Sequence, residues 1–145
     1  MTTSLSDLDR HPDWEIRLVD IQQAHAQQIA EWGKTDCILT VGESIRAVIG
    51  YDPFHQFFGK YTTELAAAKL MRKHGCENVN EVFAKFLGLT EVNRLQARRG
   101  DVGVTLIQDQ LHAGYIVNDG LNVRQPNGMI TIPLDKIEKA YRIGK

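Results

Sequence analysis

The spacing of apolar residues changes along the chain, and this change constrains the fold more than any other feature. Up to about residue 88, apolar side chains recur at helical spacing in segments separated by glycine or proline. Helices are predicted at about 12–30, between Asp36 and Gly50, from Thr62 or Thr63 to Gly75, and at about 78–87. From Val102 onward, β-branched runs alternate with turn residues, which is typical of antiparallel strands. This order indicates an α+β fold with N-terminal helices packed on a C-terminal antiparallel sheet.

Four strands are predicted in the C-terminal part, and the middle two are joined by the hairpin turn Asp119-Gly120. The strands run from Val102 to Ile107, His112 to Val117, Asn122 to Gln125 and Met129 to Pro133. A short helix at about 134–141 is expected after the last strand.

Length and composition exclude several classes of protein for this chain. The 145 residues predict one domain at 12–145, after a flexible N-terminal lead at 1–11. Two cysteines are too few for a disulfide scaffold or a Cys-rich zinc site, and no glycine motif for nucleotides occurs. We therefore expect no metal and no organic cofactor. A net charge of −1 gives no basic field for nucleic acid. The polar opening is not a signal peptide, and no apolar run predicts membrane insertion.

Cys37 is a candidate nucleophile because of its place in the second predicted helix. It directly follows the predicted cap Asp36, so it lies in the first turn. There the free N–H groups and the helix dipole favour a thiolate. The alternative interpretation is a buried cysteine that acts only as a small apolar side chain.

A nucleophilic cysteine needs a base within hydrogen-bond reach, and His112 is the candidate among five histidines. His112 opens a predicted strand in which small residues allow close approach of the backbone. Sequence spacing alone leaves open whether this ring meets Cys37.

Three segments carry a family resemblance. They are Trp32-Gly33-Lys34-Thr35-Asp36-Cys37, Arg99-Gly100-Asp101-Val102, and the segment from His112 to Gly120. In this order they resemble the nucleophile signature, the opening of the first core strand and the catalytic-histidine strand of NlpC-type cell-wall cysteine peptidases. That family has a papain-like fold, and the resemblance covers about residues 28–144. More narrowly, residues 50–53, 59–61 and 140–142 resemble a small branch encoded in phage and prophage tail modules.

The resemblance implies that Cys37 is the nucleophile and His112 the general base and acid. The backbone N–H of Cys37 would contribute to an oxyanion hole. The family usually also has a tyrosine two residues before the tryptophan, where this chain has Ala30.

The third catalytic residue is less well defined. In the family, a polar residue about twelve positions after the histidine orients the imidazole. That position is Arg124, which cannot accept a hydrogen bond from an imidazole N–H. Asn122 and Gln125 are the alternatives. We prefer Gln125, because the predicted two-residue turn would pair it opposite Gly114, on the face of His112.

The resemblance also implies a setting and partners. The leading hypothesis is a phage tail-associated cysteine peptidase or amidase that acts on peptidoglycan stem peptides or processes a tail component. It would be made in the host cytoplasm and carried in the virion tail, with other tail proteins as partners. The alternative is a structural or assembly protein of the tail tip with lapsed catalysis. A thiol-dependent acyltransferase is a third possibility, since an acyl-enzyme can pass its acyl group to an amine.

Overall fold

The computed structural model describes residues 4–145, in which helices come first and a sheet second. The helices are α1 (Trp14–Ala26), α2 (Cys37–Ile49), α3 (Glu64–Lys73) and α4 (Val79–Glu81), which continues into a π-helix at Val82–Phe86. The strands are β1 (Glu91–Val92), β2 (Val102–Ile107), β3 (Gln110–Val117), β4 (Gly120–Gln125), β5 (Gly128–Ile132) and β6 (Lys139–Tyr141). They form one antiparallel sheet in the order β1-β6-β2-β3-β4-β5. The predicted α+β class is confirmed.

Helix α1 ends at Ala26, so the prediction that it extends to about residue 30 was wrong. The backbone N–H of Ala30 donates instead to the carbonyl of Pro126, at 2.9 Å, in the β4–β5 turn. This contact with a distant turn directs the chain away from the helix axis. Within residues 4–145, no helix is long and apolar enough to cross a membrane.

The helix predicted at 134–141 was also wrong. A short 3-10 turn at Leu134–Lys136 is followed by β6, which lies between β1 and β2 in the sheet. Ala140 and Tyr141 are buried there, and Ala140 pairs with Gly103. Pairing with the centre of the sheet overrides the local helix signal, as is common where a segment is buried in a sheet.

The β3–β4 register differs by two residues from the predicted one. Asn118 and Asp119 form the turn, and Gly120 is already the first residue of β4, so Val123 and not Gln125 pairs with Gly114. Gly120 is needed in the strand because a Cβ at that position would lie 2.2 Å from the carbonyl oxygen of Ile132. Glycine serves here for close approach to β5, at a φ of +141°.

Each face of the sheet is covered. On one face, residues of β2 and β3 pack against α2 and α1 in the main core, which includes Val104, Tyr115, Leu18, Ile45 and Val48. On the other face, a smaller apolar cluster contains Ile116, Leu121, Val123, Ile137 and Ala140. Helix α2, which begins with Cys37, lies on the first of these faces.

The described part of the 1–11 segment packs against the domain through side-chain hydrogen bonds. Ser6 is buried, and its hydroxyl donates to the carbonyl of Arg142 at 2.7 Å and accepts from the N–H of Thr90 at 2.9 Å. Arg10 donates to the carbonyls of Arg99 and Ile143. The segment therefore closes the domain against its C-terminal residues.

Asp101 is the centre of this closure. Its carboxylate is fully buried and accepts hydrogen bonds from the side chains of Arg10 and Arg142, at 3.1 and 3.2 Å. It also accepts from the backbone N–H groups of Arg98 and Ile143, both at 3.0 Å. One side chain thus joins the N-terminal segment, the start of β2 and the last residues of the chain.

We expect Asp101→Asn to lower the free energy of unfolding by about 3 kcal/mol, because it leaves the buried guanidinium of Arg10 and the partly buried one of Arg142 without their counter-charge. Urea denaturation measures this change. The control is Asp9→Asn, since Asp9 is exposed and its ion pair with Lys145 spans 3.8 Å. The control should change the free energy by less than about 0.5 kcal/mol. Equal effects of the two substitutions would contradict the role given to Asp101.

Candidate active site

Asp36 fixes the start of α2. One carboxylate oxygen accepts from the backbone N–H groups of Ile38 and Leu39, both at 3.1 Å. The other oxygen accepts from the N–H of Gly33 at 2.8 Å and from the hydroxyl of Tyr61 at 2.7 Å. This is a helix cap extended by two further donors. The predicted cap is confirmed, and it makes Cys37 the first residue of the helix.

Gly33 has a structural role that explains the spacing of the Trp-Gly-x-x-Asp-Cys run. Its φ of +81° lies in the left-handed region, and a Cβ there would lie 1.9 Å from the carbonyl oxygen of Tyr61. The carbonyl of Gly33 accepts from the N–H of Gly59 at 2.7 Å. Only glycine fits this turn, which brings the loop before α3 against the cap of α2.

Cys37 is a half-buried thiol at the head of α2. Burial raises its pKa to about 11, and the negative charge of Asp36 acts in the same direction. A hydrogen bond with the backbone of Ala113 in β3 opposes these effects but does not cancel them. The helix N-terminus alone was expected to favour a thiolate. In the folded chain desolvation is the larger effect, so the neutral thiol predominates at pH 7.

His112 lies on β3, opposite Thr105 of β2, and its ring is partly buried. Burial lowers its pKa below the ordinary value, and the charge of Glu64 on α3 partly opposes this shift. The neutral imidazole that results at pH 7 is the form that can accept a proton. No hydrogen bond joins this ring to another group among residues 4–145, so the ring has a free nitrogen for a substrate or the thiol.

Cys37 and His112 both line one cavity of about 610 Å³. It lies between the start of α2, α3, the π-helix and the β2–β3 hairpin. Its other lining residues include Trp32, Asp36, Tyr61, Glu64, Met71 and Phe86. Within residues 4–145, no group of three or more His, Cys, Asp or Glu side chains is arranged to hold a metal ion.

Arg124 does not lie in this cavity. Its buried guanidinium donates to the carbonyls of His25 and Gln28, each at 2.9 Å, and to the hydroxyl of Thr40 at 3.2 Å. A further hydrogen bond reaches the side-chain oxygen of Gln28 at 3.0 Å. Arg124 therefore joins the end of α1 to α2, with all its donating nitrogens in use, and has a structural role.

The two alternatives for the third residue are also engaged elsewhere. The side-chain amide of Asn122 donates to the hydroxyl of Tyr115 at 3.1 Å. That of Gln125 donates to the carbonyl of Arg124 at 2.9 Å. The reason for preferring Gln125, a position opposite Gly114, does not hold in the observed register. The role of Gln125 as the residue that orients His112 stays a prediction, without a hydrogen bond to support it.

Three further residues belong to the site although the sequence did not single them out for chemistry. Tyr61 holds Asp36, and Glu64 acts on the titration of His112. Gln110 donates its side-chain amide to Glu64 at 3.1 Å. Tyr61 lies in the segment just before α3, and Glu64 is the first residue of α3. In the sequence, both residues are accounted for by local structure and give no sign of a functional site. Tyr61, Glu64 and Gln110 line the same cavity only because α3 lies over the β2–β3 hairpin in the folded chain.

We expect Cys37 to react slowly with iodoacetamide at pH 7, and its rate to rise about tenfold per pH unit up to pH 9, because only the thiolate attacks. A Cys76→Ala background isolates this thiol. Asp36→Asn should speed the reaction several-fold at pH 8, because it removes a neighbouring negative charge and keeps an acceptor for the cap. Glu31→Gln is the control and should leave the rate unchanged. A rate that levels off below pH 8.5 would contradict the assignment.

The chain was compared with protein families, curated proteins and solved structures. A family model described as a domain of unknown function (DUF6950) matches residues 9–143, which include Cys37, His112 and the whole sheet. No curated protein matches the chain, and no solved structure matches it. The match to the family model extends over nearly the full length, and the chain therefore belongs to the DUF6950 family.

Proposed function

We propose that the chain is a cysteine hydrolase that cleaves an amide bond through an acyl-enzyme on Cys37. The observation that carries this proposal is that Cys37 and His112, which are far apart in sequence, line one cavity. A nucleophile and a base that share a cavity are the minimum that this chemistry requires.

The reaction follows from the protonation states of the two groups. The neutral imidazole of His112 accepts the thiol proton while the sulfur of Cys37 attacks the carbonyl carbon. A C–S bond forms, the C–N bond breaks, and His112 passes the proton to the departing amine. Water then attacks the thioester, with His112 again as the base, and the acid is released as the thiol is restored.

The head of α2 offers stabilisation for the developing oxyanion. The carboxylate of Asp36 accepts from the N–H groups of Ile38 and Leu39, and these bonds leave the N–H of Cys37 outside the cap. In the papain-like arrangement this N–H would point at the carbonyl oxygen, where the positive end of the helix also favours negative charge.

The resemblance to NlpC-type peptidases supports the finer parts of the proposal. It includes a papain-like fold, an amide of a peptidoglycan stem peptide or of a tail component as the substrate, and a phage tail as the setting. Residues 33–36, which precede Cys37 in the motif, also support the resemblance, because Gly33 and Asp36 have specific structural roles there.

A structural or assembly role in the tail tip, with lapsed catalysis, is the second candidate. It is favoured by two observations. Burial raises the pKa of Cys37 to about 11, and neither Asn122, Arg124 nor Gln125 donates to or accepts from His112 among the described residues. An orienting partner is part of most such sites, and its removal lowers the rate strongly.

We expect Cys37→Ala to reduce cleavage of peptidoglycan by at least about 10³-fold, because it removes the nucleophile. His112→Ala should cost about 10²- to 10⁴-fold, because it removes general base catalysis. Release of soluble fragments and of new amino groups measures the rate. Cys76→Ala is the comparison for loss of the other thiol; Cys76 is buried after α3 and lines the same cavity without being the nucleophile, so its removal should cost less than tenfold. Cleavage that survives Cys37→Ala would contradict the mechanism.

We expect kcat/KM to stay constant as pH falls to below 6.5 and then to decrease as His112 gains a proton. The sign follows from burial, which lowers the pKa of His112, and from the need for a neutral base. Glu64→Gln should move this acid limb to lower pH, because Glu64 raises the pKa of His112. Glu138→Gln, at an exposed position of another surface, is the control. An acid limb that Glu64→Gln leaves in place would contradict the role of Glu64.

The second candidate has its own test. If the role is structural, a phage that encodes the chain should carry it in a fixed number of copies per virion. Particles made with Cys37→Ala should then assemble and infect as the parent does. Loss of infection by Cys37→Ala particles that contain the normal number of copies would favour the enzyme instead.

A further inference from the structure

The cavity beside Cys37 has two chemically different ends. Helix α3 forms one wall, with Glu64 as its first residue and His74 as its C-cap. A helix of 10 residues is about 15 Å long, so these two residues mark opposite ends of the wall. The length gives room for a chain that extends away from the reacting atoms.

The end near Glu64 is polar. Glu64 accepts a hydrogen bond from Gln110, and it acts on the titration of His112. Cys37 lines the same cavity, and the backbone of Ala113, the residue after His112, acts on its pKa. A carbonyl group bound at this end would meet the nucleophile and the base.

The end near His74 is aromatic and aliphatic. The rings of Phe57, His74 and Phe86 contact one another, with centroids 5.3 to 5.9 Å apart. Met71 and Val82 line the same end, and the hydrogen bond from the His74 ring goes to the carbonyl of Leu70. The side chains of Phe57, Met71, Val82 and Phe86 offer no hydrogen bond to a polar ligand.

The charged groups of the lining are all acidic. They are Asp36, Glu64, Glu77 and Asp109, and no lysine or arginine of the described residues lines the cavity. A carboxylate placed in the apolar end would lose part of its hydration without gaining a lysine or arginine partner. The acidic lining therefore disfavours a carboxylate in this end of the cavity, and the aromatic and aliphatic side chains there favour an apolar group.

We propose that the substrate carries an apolar acyl group that lies along α3, with its carbonyl at Cys37. Its source is a fatty acyl chain or a large aliphatic or aromatic side chain next to the scissile carbonyl. This inference rests on the proposed function, from which it takes Cys37 as the nucleophile and His112 as the base. The C–S bond to the apolar acyl group forms as the C–N bond breaks, and the thiol proton leaves with the amine.

A binding experiment tests the cavity without catalysis. Trp32 lines the cavity, and Trp14→Phe makes it the sole tryptophan, so its fluorescence reports on occupancy. In a Cys37→Ala chain, we expect octanamide or N-acetyl-phenylalaninamide to bind at least tenfold more tightly than acetamide. Tighter binding of octanamide identifies a fatty acyl chain as the source, and tighter binding of N-acetyl-phenylalaninamide identifies a peptide side chain. Equal affinity for all three amides would overturn the inference.

A cavity-filling variant locates the binding. Ala67→Phe adds a ring to the α3 wall and should weaken the binding of the tighter amide at least tenfold. Ala24→Phe, on an exposed position of α1, is the matched control and should leave the affinity unchanged. Circular dichroism checks that both variants are folded, and Trp32→Phe, which removes the reporter, should remove the signal. Unchanged affinity in a folded Ala67→Phe chain would overturn the inference.

An acylation experiment separates this inference from the proposed function. Intact mass measures the rate at which p-nitrophenyl octanoate and p-nitrophenyl acetate acylate a Cys76→Ala chain. A rate at least tenfold higher for octanoate, lost in Cys37→Ala, supports both proposals. Equal rates on Cys37 would support the nucleophile and overturn the apolar acyl site. Tight amide binding without acylation would support the apolar site and overturn the function.

Discussion

The carboxylate of Asp36 is the interaction on which the site depends. Its two oxygens accept four hydrogen bonds, from the first turn of α2, from the turn at Gly33 and from the hydroxyl of Tyr61. Three separate segments are thereby held around one buried group, and Cys37 is placed where they meet. Removal of the carboxylate would leave buried N–H and O–H groups without acceptors, which is costly in a site of this kind.

The same carboxylate limits the reactivity of Cys37. It caps the helix, but its charge, together with burial, holds the thiol in its protonated form. The imidazole of His112, which lines the same cavity, is favoured in its neutral form for a related reason, since burial lowers its pKa. A neutral thiol beside a neutral base suits a mechanism in which the proton moves during attack, and it leaves the resting cysteine protected from oxidation, which requires thiolate character.

Local patterns in the sequence predicted most elements of the fold. The caps at Asp36 and Thr63, the glycine after α2 and the β-branched runs of β2 and β3 are each determined by neighbours within a few residues. The errors arose where contacts with segments distant in the sequence determine the local structure. The segment 139–141 became a strand because β2 offers it hydrogen bonds, and the β3–β4 register moved because Gly120 is needed against β5.

The sequence by itself determined that Cys37 begins a helix, because Asp36 directly precedes it and can cap the first turn. It also placed His112 on a strand. Only the tertiary structure decided that both line one cavity, that the charge of Glu64 acts on the pKa of His112, and that Arg124 serves as a link between two helices. It also decided that Cys37 is a thiol. The physical reason is that a cap is made by adjacent residues, whereas desolvation and cavity shape depend on segments that approach only when the chain has folded.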